Sequence, residues 1–252
     1  MSDELARIAE ALERLAPKTA AATDWLCAPA YVWQGSARPV EVLQDPTLKL
    51  LKGIDAQKDE VTGNVSRLAA GHAAHDMLLW GSRGMGKSAL LRAAVVAAQG
   101  DDPNRIALVQ VAPEALGSLA QLFTELSVQP RQFLVFIDDL GFEDQDSAGP
   151  SALRSWLEGG IEARPRNVRI AVTSNRRAIV PRHLAEQDDP INPRDAVDDR
   201  LALADRFGLS IGFHNCSQDD YLAIVAGYCT QYGPDWDEAA ALEWSKRRGA
   251  RS

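Results

Sequence analysis

Residues Gly81 to Ser88 read G-S-R-G-M-G-K-S, three spaced glycines ahead of a lysine and a hydroxyl. That spacing suits an anion better than a packed core. An apolar run (Met77, Leu78, Leu79, Trp80) precedes the loop and a helical pattern follows it. A strand, a tight turn and a helix N-terminus would then wrap backbone N–H groups around one phosphate. Gly81, Gly84 and Gly86 permit close backbone approach, Lys87 brings a point charge to the outer phosphates, and Ser88 offers a hydroxyl to Mg²⁺. The expected nucleotide-binding set is Gly81, Ser82, Arg83, Gly84, Met85, Gly86, Lys87, Ser88 and Ala89. The bland alternative is a glycine-rich turn that happens to contain Lys-Ser.

Two further strand-end clusters extend the chemistry. Phe133 to Asp139 reads F-L-V-F-I-D-D, an apolar strand closed by two carboxylates. Ligands of open α/β sheets gather at strand carboxyl ends, so Asp138 is expected to share Mg²⁺ with Ser88, and Asp139 to orient or deprotonate the attacking water. Either carboxylate would otherwise cap a helix or face solvent. Glu143 is a second candidate for activating the water, set in an acidic stretch with Asp144 and Asp146 that reads equally as a solvated loop. The next strand ends V-T-S-N-R-R, and Asn175 is the expected sensor of the terminal phosphate or holder of the water. Arg176 and Arg177 read as partner-binding or simply solvated charges. Arg206, just before a last apolar run, is either an arginine finger for a neighbouring subunit's nucleotide or the partner of Asp205.

These clusters need a sheet that aligns them. Short apolar runs at Met77–Trp80, Ile106–Val111, Phe133–Ile137, Val168–Thr173 and Leu209–Phe213 alternate with helical patterns near Lys87–Ala98, Pro113–Leu126, Pro150–Leu157 and Ala196–Ala204. Such alternation predicts an α/β fold, a P-loop core on a five-stranded parallel sheet. Upstream, Leu5, Ile8, Leu12 and Leu15 predict a helix ended by Pro17, then a loop-like stretch over Ala28–Pro39, then helical patterning from Val40 to about Ala70. Downstream, Ser217 opens a capping-box helix, and a second helix runs from Asp237 to Arg248 before Gly249.

Composition narrows the class. With 252 residues, 46% of them apolar, the chain can bury a substantial core, and no apolar run approaches a membrane span. The acidic start M-S-D-E-L differs from a signal-peptide head, so a cytoplasmic protein without a membrane partner is expected. A net charge of −8 opposes general nucleic-acid affinity but leaves room for a local basic patch. Cys27, Cys216 and Cys229 lack zinc or disulfide spacing and are expected to be reduced and partly buried.

Taken in order, Gly81–Ser88, Asp138-Asp139, Asn175 and Asp205-Arg206-Phe207 resemble an AAA+ ATPase, with Asp138 and Asp139 in the Walker B position. The strings F-I-D-D-L-G-F-E, L-E-G-G-I-E-A-R-P-R-N-V, T-S-N-R-R and L-A-D-R-F-G-L are more narrowly similar to the bacterial ATPases of domain-of-unknown-function family 815. The resemblance covers about residues 47–252 and implies an AAA+ P-loop domain over 47–215 and a partial helical lid over 216–252, after the N-terminal helical segment expected over 1–46. It implies that the Asn175 strand lies between the strands of the phosphate loop and of Asp138, with Gly53 and Ile54 against adenine. It also implies ATP with Mg²⁺, self-association through the nucleotide interface, and an unidentified protein or nucleic-acid partner. Two features depart from the family pattern: Asp139 stands where many members carry Glu, and Arg251 is the nearest residue to a second sensor. The expected function is ATP hydrolysis that drives a conformational change on the partner. The alternative is an ATP-gated adaptor or loader with negligible hydrolysis.

Overall fold

Strands that are apolar on both sides need a layer of helices on each face. In the computed structural model, which describes residues 23–43, 47–140, 153, 156–157, 164–175, 206–233 and 235–248, the central strands are mostly buried on both faces, the last of them least. They are β3 (Met77–Gly81), β4 (Ile106–Val111), β5 (Gln132–Ile137), β6 (Val168–Ser174) and β7 (Leu209–Phe213), each within one residue of its expected ends. Their neighbours run β4-β5-β6-β3-β7, all parallel. The strand carrying the Asn175 cluster therefore lies between the other two, as the resemblance implied.

The sheet has seven strands rather than five. The expected loop over Ala28–Pro39 instead forms β1 (Ala30–Trp33), parallel to β4, and β2 (Ala37–Val40), antiparallel to β1 at the edge. Each spans only four residues, too few to display a period-two pattern. Pairing with β4, and the burial of Tyr31 and Trp33 beneath it, make β1 a strand. Pro39 is tolerated in β2 because an edge strand needs no donor there.

The helical pattern expected from Val40 to Ala70 is also divided. A 3₁₀ turn at Leu48–Leu50 is followed by Gly53 at φ +72°, and α1 runs only from Asp55 to Ala69. A left-handed residue cannot sit inside a right-handed helix, so the helix restarts after it. Next come α2 (Lys87–Gln99), a 3₁₀ turn at Pro113–Ser118 that leads into α3 (Leu119–Ser127), α4 (Gln218–Tyr232) and α5 (Glu238–Arg248). Ser217 and Asp220 close the expected capping box on α4. The expected N-terminal helix, most of the Pro150–Leu157 helix, the Ala196–Ala204 helix and Arg251 lie outside the described residues.

Alternate side chains of each strand feed opposite cores. Leu79, Leu108, Leu134 and Phe136 pack with Val61, Val65, Leu90 and Val95 of α1 and α2. Leu78, Val109, Val135 and Val172 pack with Leu122 and Phe123 of α3, and with Leu153 and Leu157. Among the described residues no helix is long and apolar enough to cross a membrane. The three cysteines are free thiols, but Cys27 is exposed rather than partly buried.

Two buried polar groups hold the sheet's amino edge. Asp76 Oδ1 accepts from Ile170 N–H at 2.9 Å and Oδ2 pairs with Arg164 at 2.8 Å, clamping β3 to β6. Burial pushes the Asp76 carboxyl above its ordinary pKa despite those partners. Arg131, only 1% exposed, donates to the carbonyls of Trp25, Ala28, Pro103 and Ile106 and so fastens the segment before β1 to the core. Desolvation holds its pKa below the ordinary guanidinium value, and burial pushes the neighbouring Tyr31 hydroxyl up to about 12. Arg131→Ala would strand several buried acceptors, so an urea melt should show a loss of roughly 3 kcal/mol or more.

Candidate nucleotide-binding site

The loop after β3 is shaped by a close backbone approach. Gly81 sits at φ +125°, and a Cβ there would lie 2.0 Å from the carbonyl oxygen of Phe213. No other residue fits between β3 and β7, and Ser82 N–H completes the seam by donating to that oxygen at 3.0 Å. Gly86, at φ +84°, forms the N-cap that turns the chain into α2. The helix thus begins at Lys87 with its first N–H groups directed at the loop.

The side chains at this edge form one hydrogen-bonded network. Lys87, 5% exposed, donates through Nζ to Gly81 O at 3.0 Å, Ser82 O at 2.8 Å and Asn175 Oδ1 at 3.0 Å. Asn175 Nδ2 in turn donates to Asp139 Oδ1 at 2.6 Å. Ser88 Oγ donates to Asp138 Oδ1 at 2.7 Å, and Thr173 Oγ1 donates to the same oxygen at 2.6 Å. Thr173 Oγ1 also accepts from Asp139 N–H at 2.9 Å, which helps hold Asp139 at its positive φ of 51°. Desolvation lowers the Lys87 pKa, and the charges of Asp139 and Asp138 oppose that shift.

Two cavities flank the loop and share Gly84, Gly86 and Ala89. The polar one, about 360 Å³, is lined by Arg83, Lys87, Ser88, Asp138, Asp139 and Asn175. The apolar one, about 230 Å³, is bounded by Leu50, Leu51, Ile54, Met85, Ile224 and Tyr228, with Lys52 also lining it. Together they offer a polar slot and an apolar slot on either side of one glycine-rich turn. Among the described residues no three or more His, Cys, Asp and Glu form a metal cage of their own.

The structure brings most of the expected set together. Gly81 to Ala89, Ile54, Asp138, Asp139 and Asn175 all meet in this region. Arg206 does not join them. It precedes β7 at the sheet's amino edge, since Leu209 is in register with Met77, whereas the loop follows the carboxyl end, where Gly81 meets Phe213. Glu143, Arg176, Arg177 and Asp205 lie outside the described residues. Thr173 is not in the expected set, although its hydroxyl serves both aspartates; its place at the end of a strand beside the Asp138 strand is the available signal. Ile224 and Tyr228 carried no such signal, because only packing brings α4 to the loop.

Core, strand order and loop geometry define an AAA+ type P-loop fold. The family model described as "Protein of unknown function (DUF815)" matches residues 27–252, and the chain belongs to that family. No curated protein is significantly similar to it in sequence. Among solved structures, the RuvB Holliday junction branch migration motor of Thermotoga maritima superposes with a TM-score of 0.53 at 18% identity, over 81% of this chain and 60% of that one. PCH-2 of C. elegans gives 0.51 at 17% identity, over 75% and 52%, and a chain of the E. coli MS115-1 HORMA:CdnC:Trip13 complex gives 0.50 at 16%, over 81% and 76%. The chain therefore spans about 60% of the length of the RuvB chains it matches, and at these identities the likeness concerns the fold.

Thr173→Val keeps the shape of the side chain but removes both the donor to Asp138 and the acceptor for Asp139 N–H. A loss of roughly 1–2 kcal/mol in urea unfolding is expected, with faster hydrogen exchange at the Asp139 amide.

Proposed function

We propose that this chain is a cytoplasmic ATPase that binds ATP with Mg²⁺ and uses its hydrolysis to change contact with a macromolecular partner, protein or nucleic acid. The observation that carries this reading is the pair of cavities joined by Gly84, Gly86 and Ala89, one apolar and closed by Ile54, the other holding Lys87, Ser88, Asp138, Asp139 and Asn175.

The donor chemistry fits the ion. Ser88 Oγ and Asp138 Oδ1 are hard oxygen donors 2.7 Å apart, with room beside them in the polar cavity. When bound, Mg²⁺ neutralises charge on the phosphate oxygens. Lys87 exchanges Asn175 Oδ1 for the outer phosphates. Asn175, released from Lys87, positions the water beside Asp139. Asp139 takes a proton as the water oxygen bonds to the γ-phosphorus and the bond to the β–γ bridging oxygen breaks, which leaves ADP and phosphate. Arg206, exposed at the far edge of its own sheet, acts on a neighbouring copy's phosphates within a self-associated assembly.

A nucleotide-gated adaptor with negligible turnover is the second reading. It is favoured by the bond that ties Asp139 to Asn175 and by a side chain one methylene shorter than Glu.

The deciding experiment is ATP turnover per subunit across a protein concentration series with Mg²⁺. Turnover should rise with concentration, and Arg206→Ala should flatten the rise. Lys87→Ala should weaken ATP binding by tenfold or more, on the order of 1.4 kcal/mol at least; unchanged affinity and turnover would remove the site assignment. Asp139→Asn should keep ATP bound but stop hydrolysis. If turnover survives there and is lost in Glu143→Gln, the proton acceptor is Glu143.

A further inference from the structure

The sheet's amino edge carries a charge imbalance opposite in sign to that of the chain. Over the whole sequence 35 acidic residues outnumber 27 basic ones. In the segments 67–76 and 164–169 the arginines Arg67, Arg164, Arg166 and Arg169 face a single carboxylate, Asp76, which is 3% exposed. Met77 of β3 stands opposite Ala171 of β6, so the residues that precede these strands emerge side by side. Arg169 Nε donates to Ala74 O at 2.6 Å, and Arg164 pairs with Asp76 at 2.8 Å. Arg67 Nη2 donates to Asn64 Oδ1 at 3.3 Å, the oxygen that also accepts from His75 N–H. Arg67 and Arg166 are exposed. Arg164 Nε is buried without a hydrogen-bond partner among the described residues. Desolvation, and then the neighbouring charge of Arg164, push the Arg169 guanidinium below its ordinary pKa against the pull of Asp76. An anion that joins such a group relieves its self-repulsion.

The kind of anion follows from what the surface lacks. Of the exposed large apolar side chains among the described residues, none falls within 67–76, 164–169 or 206–210. Protein interfaces place aromatic and apolar residues at their centre, whereas nucleic-acid interfaces are more polar and strongly cationic. The cations of the two segments that carry charge at any pH are all arginines, whose planar forks match pairs of phosphate oxygens. We propose that this edge, through Arg67, Arg164, Arg166 and Arg169, binds the phosphate backbone of nucleic acid without reading its sequence. The inference deepens the functional reading above by naming the class of its macromolecular partner. Arg67 and Arg166 meet phosphates directly. Arg164 and Arg169, anchored on Asp76 and Ala74, fix the surface and add to its charge. Arg206 precedes β7, on the flank of β3 away from β6, and is not needed here. The five residues of β3, on the order of 15 Å, separate this edge from the glycine loop, so the backbone and a bound nucleotide do not compete.

Fluorescence anisotropy of a labelled mixed-sequence DNA duplex, and of one of its strands, tests this with the full chain between about 50 and 200 mM salt. At least one form should bind, and a duplex of scrambled sequence should bind as the first does. Arg67→Gln and Arg166→Gln should each lower the slope of log affinity against log salt by about one, and the double variant should bind roughly tenfold or more weakly at the low-salt end. Both side chains are exposed, so the thermal melt and Lys87-dependent ATP affinity should not change. Arg38→Gln on β2, at the opposite end of the sheet, should bind DNA as wild type does, and so should Lys87→Ala. No binding of duplex or strand, a slope untouched by both arginine variants, or an equal loss in Arg38→Gln or Lys87→Ala would overturn the proposal. So would displacement of the DNA by polyglutamate as readily as by unlabelled DNA, which marks a surface for acidic protein. If ATP binds in a Lys87-dependent way and DNA does not bind, only this proposal fails; if DNA binds through these arginines and ATP does not bind, the functional reading fails and this surface stands.

Discussion

Three parallel strands ending at one level, β5, β6 and β3, are the constraint on which the site depends. Ile137 lies opposite Val172, and Trp80 opposite Ser174, so the residues that follow emerge side by side. Asp138 and Asp139 leave β5 next to Thr173 and Asn175 of β6, and the glycine loop leaves β3 on the other flank. A slip of one residue in either ladder would turn these side chains to the opposite face. The clamp from Asp76 to Ile170 and Arg164 guards that register from the far end of the same strands.

Within that frame a nearly buried ammonium must be satisfied. Lys87 loses most of its water, which disfavours its charge, and recovers through two loop carbonyls, Asn175 and the field of two aspartates. One consequence is mechanical. Asn175 accepts from Lys87 through Oδ1 and donates to Asp139 through Nδ2, so charge at the loop is linked to the carboxylate two strands away.

The edge beyond β4 has a different logic. β1 and β2 contribute nothing to the polar cavity, yet they cover β4 and bring Trp25, Tyr31 and Trp33 under the sheet. Arg131 joins this layer to the core by donating to carbonyls from two separate segments, where a carboxylate partner would have added another buried charge.

Much of the site was legible in the sequence because its chemistry is carried by local spacing. Lys87 and Ser88 lie at fixed offsets from Gly81, Gly84 and Gly86, and Asp138 and Asn175 stand at the ends of largely apolar runs that read as buried strands. The five central strands were readable because burial on both faces, or nearly so, leaves short runs that are mostly apolar. What tertiary structure alone decided lies where the defining partner is distant in the chain. β1 and β2 are four-residue strands made by pairing with β4. Thr173 became the shared partner of two aspartates because β6 inserted beside β5. Ile224 and Tyr228 reached the glycine loop because α4 settled on Leu50 and Gly53. Spacing along a chain encodes what one segment can do, whereas contacts between remote segments arise only when the whole apolar surface is buried at once.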